Sequence, residues 1–421
     1  MENRAINQSV NPLLPTVGFV TETLLAPQQA IVAFFARAPL APPGTESVTL
    51  DDAFGRVLAQ SVAADDDYPN AARSLMDGFA LQSRFAPGDF ELVAGVMMGA
   101  APQIPLTPAT AMPIPTGGLL PPGADAVVPI EDAAADGSRL RVETSIEIGA
   151  NVAARGADMR IGDALLKPGR RIRAAEVGVL ATLGITDVLV YRRPTIAVLS
   201  SGDEIVEPQA RPRPGEIRDS NRYAIAASLR AMGALPRHYP TLCDEADTFE
   251  SGLARALAQC DGIVVTGGSS VGERDRLPQA VAQIATPGVI VHGLRVKPGK
   301  PTLFGADGRK PILGLPGNPT SALFMLEAVA APIVAALTGA PLEAATLQAR
   351  LEKPATSRAG WTWYVPVSLQ HDGGVPLAHP LALRSFSVSL AARADGYIVM
   401  DEGDEEWPAG TLVTVHRFLG G

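Results

Sequence analysis

Cysteine is almost absent from this chain: Cys243 and Cys260 are the two in 421 residues. That count argues against a disulfide scaffold and against a cysteine zinc site, and it fits a reducing, cytoplasmic setting. Positive charge is also short. The formal net charge of −9 argues against general nucleic-acid binding. It further requires that an anionic substrate be held by local cations, against the overall field. Long apolar runs are missing from the early part of the chain. The most apolar early stretch, "AIVAFFARAPLAPP", carries Arg37 and ends in prolines, so it reads as a buried or amphipathic helix and not as a membrane span. No basic segment followed by a clean apolar run opens the chain, so no signal peptide is expected. There is no strong internal repeat and no low-complexity tail.

Glycine and proline, by contrast, are plentiful. With 41 and 37 residues they imply many turns and short strands instead of long helices. The length suffices for about three domains. "PQQAIVAFFARA", residues 27–38, reads as a helix with Ile31, Phe34 and Phe35 on one face. From about 45 to 150 short alternating runs such as "SVTL", "FELVAGV" and "RLRVETSIEI" stand between Gly, Pro and Asp, a β-rich texture. Residues 170–185 look helical, with Gly184 as the stop.

From about 192 strands and helices alternate. "PTIAVLSSG", "GIVVTGG", "GVIVHGLRV" and "ILGL" read as strands. "NRYAIAASLRAMGA" reads as a helix with Ile225, Leu229 and Met232 on one face, and "DTFESGLARALAQ" as another with Phe249, Leu253 and Leu257. A further helix starts at Asn318, a good N-cap, with Pro319 at its first position. Such alternation predicts a mostly parallel sheet flanked by helices, with ligands at the carboxyl ends of its strands. From about 342, "TWYVPVSL", "YIVM" and "TLVTVHRF" return to short strands and suggest a small β-barrel-like domain.

Three local patterns carry chemistry. Gly268-Ser269-Ser270-Val271-Gly272 matches G-x-S-x-G, the nucleophile elbow of serine hydrolases. Yet Gly267 and Gly268 already end the strand before the serine, and charged "GERD" precedes any helix, so backbone cradling of an anion competes with the hydrolase reading. Lys297 and Lys300 in "VKPGKPT" fail the Walker A pattern, but the flanking Pro298, Gly299 and Pro301 stiffen their loop into a possible anion clamp. Asp77, Asp203, Glu204 and Asp275 sit on Gly-rich loops. Singly each is most often a turn former; together with glycines and lysines they suggest Mg²⁺ beside phosphate groups.

Eight ordered segments make these patterns recognisable together: "SLMDGFAL", "PTGGLLPPGADAVVPIED", "ARGADMRIGD", "LSSGDEIV", "GEIRDSNRYA", "VVTGGSSVGERD", "VKPGKP" and "GLPGNPTSALF". Over almost its full length the chain resembles the MoeA-type molybdopterin molybdenumtransferases, relatives of the gephyrin E domain. The resemblance implies a multidomain α/β protein. A central molybdopterin-binding, MogA-like α/β domain would span 191–341. A β-rich domain at 46–149 would be inserted in an N-terminal helical and linker domain, 1–45 and 150–190, and a C-terminal β-barrel-like domain would occupy 342–421. It implies insertion of molybdenum from molybdate into adenylylated molybdopterin, with hydrolysis of the adenylate that depends on Mg²⁺ or another divalent metal. Residue by residue, it places catalytic roles on Asp77, Thr116, Asp158, Glu204, Asp244 and Asp275, with Glu204 and Asp275 as metal ligands. Substrate binding falls on Gly267, Gly268, Ser269, Ser270, Lys297, Lys300, Pro316, Gly317 and Asn318. The implied partners are a second copy in a homodimer, a MogA-type adenylyltransferase and molybdoenzyme chaperones, with neither nucleic acid nor membrane.

The sequence departs from the family at Arg73 and Leu75, which replace the usual Asn and Ala before "MDG", and at Ser269, which replaces a Val. A paralogue that binds or carries molybdopterin with altered chemistry is the alternative. Persistence of the acids and both lysines favours an active enzyme.

Overall fold

The computed structural model describes residues 24–243, 245–268, 276–342, 345–383 and 387–419. The chain forms two compact units: one holds the residues up to Ser47, Gly55–Val57 and Leu189 onward, the other Val48–Phe54 and Leu58–Val188.

The second unit is β-rich. Its six-stranded sheet runs in the order Ala126–Pro129, Gly78–Leu81, Thr110–Ile114, Gly88–Leu92, Arg139–Val142, Ala133–Asp136. Strand Gly78–Leu81 is buried on both faces. Phe79 and Leu81 pack with Phe90, Leu140 and Val142, and Ala80 packs with Met112, Ile114 and Val127. Helix Ala174–Thr182 begins in a charged box: the Glu176 carboxylate accepts from the Arg173 backbone N–H and from both Arg170 and Arg173 guanidiniums. These donors hold its carboxyl far below the ordinary carboxylate range.

The larger unit contains the alternating fold. Its six-stranded sheet runs Leu235–His238, Thr195–Ser200, Gly262–Thr266, Lys310–Leu315, Leu303–Asp307, Pro287–His292. The first four strands are parallel, as expected. The other edge is antiparallel: Leu303–Asp307 and Lys310–Leu315 form a hairpin with Asp307 opposite Lys310 and Gly308 at φ 57° in the turn. One face of the sheet is covered by helix Asn221–Ala231, where Ile225 and Leu229 are fully buried, as is its C-cap Met232. Helix Pro27–Arg37 joins the same core through Ala30, Ile31 and Phe34. The opposite face receives helix Ala246–Gln259, through Phe249, Leu253 and Leu257, and helix Leu277–Ile284.

Two expected elements break. "GVIVHGLRV" is two strands: Pro287–His292 stays in the sheet, while Val296–Lys297 pairs with the C-terminal domain. The helix after Asn318 is likewise not continuous. It runs Pro319–Phe324, passes through a π turn at Met325–Val329, and resumes as Ala331–Thr338 at a bend of 55°. Pro332 has no N–H for the ladder and crowds the preceding turn, which accounts for the break. Among the described residues no single helix is long and apolar enough to cross a membrane. This bent pair reaches the required length and composition, but Phe324, Leu326, Ile333, Val334 and Leu337 are spent in the core.

The C-terminal strands close on themselves. Thr362–Gln370 pairs with Leu377–Pro380, which pairs with Thr346–Leu351, then Leu412–Arg417, then Gly396–Met400, and back to Thr362–Gln370. Ala349, Val365, Val367, Ile398, Val413 and Val415 fill the barrel.

Candidate functional site

The carboxyl ends of the parallel strands meet at one place, as the alternating pattern requires. Gly267 follows strand Gly262–Thr266 with φ 84°, and its backbone N–H donates to Leu315 O at 3.1 Å. A Cβ there would lie 2.6 Å from Ser201 O, so only glycine lets this loop close on its neighbour. Gly317 lies on the other side, its Cβ position 3.6 Å from Gly267 Cα. Asn221 Nδ2 donates to Gly317 O at 2.8 Å. Beneath these loops is a buried polar layer. Ser200 Oγ donates to Asp219 Oδ1 at 2.9 Å, and the Arg222 guanidinium reaches Asp219, Glu207 and Tyr239 O. The layer ties the loop after strand Thr195–Ser200 to the start of helix Asn221–Ala231.

Next to this junction a cleft of about 420 Å³ opens. Val296–Pro301 form one wall, Asn318 and Ser321 another, and Arg358, Trp361, Trp363 and Leu383 from the barrel domain a third. Asn318 caps its helix as expected: its Oδ1 accepts from the Ser321 N–H at 3.1 Å and from Ser321 Oγ at 3.2 Å. Three cations, Lys297, Lys300 and Arg358, line this single cleft. The lysine loop is rigid for a packing reason: Gly299 has φ 113°, and a Cβ there would lie 2.2 Å from Met325 Sδ. Lys300 O accepts from Leu294 N–H at 2.8 Å, and Thr302 closes the turn onto Gly299 O. Lys297 Nζ rests over the Trp363 ring, 4.3 Å from its centroid.

Glu204 is exposed at the end of the loop after strand Thr195–Ser200. Its carboxylate folds over Gly202, 2.5 Å from where a Cβ would stand. Among the described residues no three His, Cys, Asp or Glu side chains gather as a metal-holding group.

The other expected site residues lie in the β-rich unit. Asp77 Oδ1 accepts from the Thr116 backbone N–H at 2.6 Å and from Thr116 Oγ1 at 3.0 Å. The backbone donor, then the hydroxyl, holds the Asp77 carboxyl below its ordinary value of 3.8. Arg73 Nη1 donates to Gly117 O at 2.8 Å, so the residue that departs from the family braces the Thr116 turn. Asp158 is exposed on a loop anchored by its N–H to Tyr68 O at 3.0 Å. Asp244, Ser269, Ser270 and Asp275 lie outside the described residues.

Thus the structure brings Gly267, Gly268, Pro316, Gly317 and Asn318 to one strand-end junction and joins Asn318 to Lys297 and Lys300 across the cleft. Sequence reasoning missed Arg358, Trp361, Trp363 and Ser321. The available signal was "SRAGWTWY", which concentrates two of the three tryptophans of the chain beside an arginine.

Comparison with known proteins covers most of the chain. The description "MoeA N-terminal region (domain I and II)" matches residues 25–184, "Probable molybdopterin binding domain" matches 197–336, and "MoeA C-terminal region (domain IV)" matches 348–418. The chain is similar to the molybdopterin molybdenumtransferase of Synechocystis sp., with 32% identity over 87% of this chain and 93% of that protein. It is similar to the molybdopterin molybdenumtransferase of Bacillus subtilis, at 31% over 88% and 89%. Among solved structures, a molybdopterin biosynthesis moea protein from Pyrococcus horikosii superposes with a TM-score of 0.78 at 28% identity, covering 94% of this chain and all of that one. The chain belongs to the MoeA family of molybdopterin molybdenumtransferases.

Proposed function

We propose that this protein inserts molybdenum from molybdate into adenylylated molybdopterin, with loss of the adenylate. The observation that carries the reading is the cleft in which Lys297, Lys300 and Arg358 converge beside Asn318 and Ser321. Molybdate and phosphate are both tetrahedral oxyanions. In a chain of net charge −9, three cations lining one cleft form a local field of the sign such a ligand needs. The lysines and the arginine bind through charge-assisted hydrogen bonds, the arginine in a planar fork. The junction of Gly267 and Gly317 continues the site as a backbone wall, close enough for a planar ligand or its phosphate to approach.

Phosphoanhydride cleavage builds negative charge on the transferring phosphate, and the cleft cations would stabilise it. Mg²⁺ fits the donor set in one respect: it takes few carboxylates and prefers substrate oxygens, and Glu204 is an exposed carboxylate, beside Asp203, on the loop after strand Thr195–Ser200. Glu204 would hold the ion, with Asp275 as the expected second ligand. When bound, the ion supplies further charge neutralisation at the anhydride. Asp77, fixed as an anion by Thr116, suits a role in orienting a hydroxyl or water through a hydrogen bond.

The reading extends to a homodimer. Leu75, Met76 and Ile130 flank Asp77 in the exposed turn, and Met98 lies beside Gly117; all four are 41–62% exposed, apolar surface that a second copy would cover. Sedimentation should then give twice the 43.8 kDa chain mass. A cytoplasmic setting, a MogA-type adenylyltransferase as supplier and molybdoenzyme chaperones as recipients complete the proposal.

The test is turnover. Purified protein given adenylylated molybdopterin, Mg²⁺ and molybdate should release AMP and yield molybdenum-loaded cofactor. Stoichiometric pterin binding with no AMP under any divalent metal would overturn the enzyme reading.

A further inference from the structure

Lys297 is placed by the barrel domain. Strand Val296–Lys297 leaves the α/β sheet and pairs in parallel with barrel strand Thr362–Gln370, Val296 opposite Thr362 and Lys297 opposite Trp363. Residues opposite one another in a ladder share a face, so this register sets the lysine stem beside the indole. The strap is fastened at its start: Thr362 N–H donates to Arg295 O at 3.1 Å, and the Arg295 guanidinium pairs with Glu402 at 2.8 Å. The indole itself packs against the barrel core, so it offers a fixed surface. Lys297 Nζ lies 4.3 Å from the ring centroid, inside the range of a cation–π contact. No carboxylate pairs with Lys297 among the described residues.

We propose that Trp363 is a positioning residue for Lys297: it holds the ammonium over its ring, ready for an oxyanion, without neutralising it. A carboxylate in that place would also order the lysine, but it would cancel the charge the anion needs. An aromatic face leaves the net charge intact, and an ammonium seated on a ring still has N–H donors directed away from it. A free lysine loses much rotamer freedom when it grips an anion; one held in advance loses less, and the saving appears as affinity. The inference rests on the oxyanion reading of the cleft. It adds that one of the three cations owes its effectiveness to a side chain that need not touch the anion.

The experiment is a double-mutant cycle on the full chain, with molybdate as the probe and calorimetry as the readout. Trp363→Leu should weaken molybdate binding by about fivefold, the scale of a partly exposed cation–π contact. Trp363→Phe, which keeps a smaller ring, should recover most of that loss. In a Lys297→Met background, Trp363→Leu should change nothing further. NMR gives an independent view: the Lys297 ε-methylene protons should resonate upfield of those of other lysines through the indole ring current, and should return to the ordinary position in Trp363→Leu. An equal loss from Trp363→Leu in both backgrounds, or unshifted ε-methylene protons in the wild-type protein, would overturn the positioning role and leave the oxyanion reading standing. Full molybdate affinity in Lys297→Met would overturn the clamp and the inference together.

Discussion

The Asp77 turn and the lysine cleft fix charge by opposite means. Asp77 is exposed, and the donors that hold it come from one nearby turn: the Thr116 N–H at 2.6 Å and the Thr116 hydroxyl at 3.0 Å, with Arg73 bracing Gly117 O behind them. The cleft cations are assembled from afar. Lys297 and Lys300 sit on a loop locked by Gly299 against Met325, while Arg358 and the tryptophans arrive from the barrel domain. A short, strong acceptor such as a carboxylate can be oriented by the backbone alone. A long, flexible cation needs a stiff loop beneath it and a surface beside it.

If that contrast is right, the largest effect should come from the acid. Asp77→Ala should lower turnover by about 100-fold or more, the range for a lost acid–base or orienting group, with folding intact because the side chain is exposed. Retained turnover in steady-state kinetics would demote Asp77 to a turn former. Thr116→Val removes the hydroxyl and leaves the backbone donor, so its effect should be smaller.

Charge reversal in the cleft comes next. A charge-assisted hydrogen bond contributes about 1.5–3 kcal/mol, so Lys300→Glu and Arg358→Glu should each weaken molybdate binding at least about tenfold. Isothermal calorimetry with unchanged circular dichroism is the check. An undiminished affinity in both would return these residues to ordinary surface charge.

Gly267→Ala probes the wall between the two strand ends. Alanine at φ 84° with a contact of 2.6 Å to Ser201 O should cost about 1–3 kcal/mol of stability and lower the urea midpoint. A midpoint equal to wild type would mean that the loop has room the structure does not show.

The smallest effect concerns a second carboxylate that sharpens the comparison. Glu327, half-buried in the π turn, accepts from Ser228 Oγ at 2.7 Å and from Leu419 N–H at 2.9 Å, yet burial raises its carboxyl above the ordinary 4.5. Asp77, with donors and no burial, is shifted the other way. The signs differ accordingly. The contribution of Asp77 to stability is present above its unfolded value near 3.8 and is lost as pH falls through its lower folded value. Glu327 does the reverse: the folded chain holds the proton longer, so stability falls as pH rises from 4.5 through the raised value. Glu327→Gln should flatten that fall in a pH series of urea melts. An unchanged slope would place the titration elsewhere.

Much of the scaffold was legible because its signals are local. Ile225, Leu229 and Met232 repeat at helical spacing and are fully buried; Asn318 and Pro319 announced a cap that the structure shows. The strand ends at Gly267 and Asn318 followed from the parallel alternation. What escaped depends on register between distant segments. Nothing near Val296–Lys297 says that this strand abandons its sheet for Thr362–Trp363, and so nothing near Lys297 says that Trp363 lies under it. For Arg358 the stretch "SRAGWTWY" was the one local signal, and it could not say which cleft the barrel sets the arginine beside. The hairpin at Gly308 was a local signal, and "ADGRK" could have been read as a turn.

The claim on which the account turns is that the lysine cleft, and not the glycine junction or the Asp77 turn, receives the oxyanion. Crystals of the full chain soaked in molybdate, with diffraction recorded at the molybdenum absorption edge, test it directly. The account predicts an anomalous peak within hydrogen-bond reach of Lys297, Lys300 and Arg358, absent from crystals of Lys300→Glu. A peak against Asp77 and Thr116, or one that persists in the cleft after charge reversal, would contradict it.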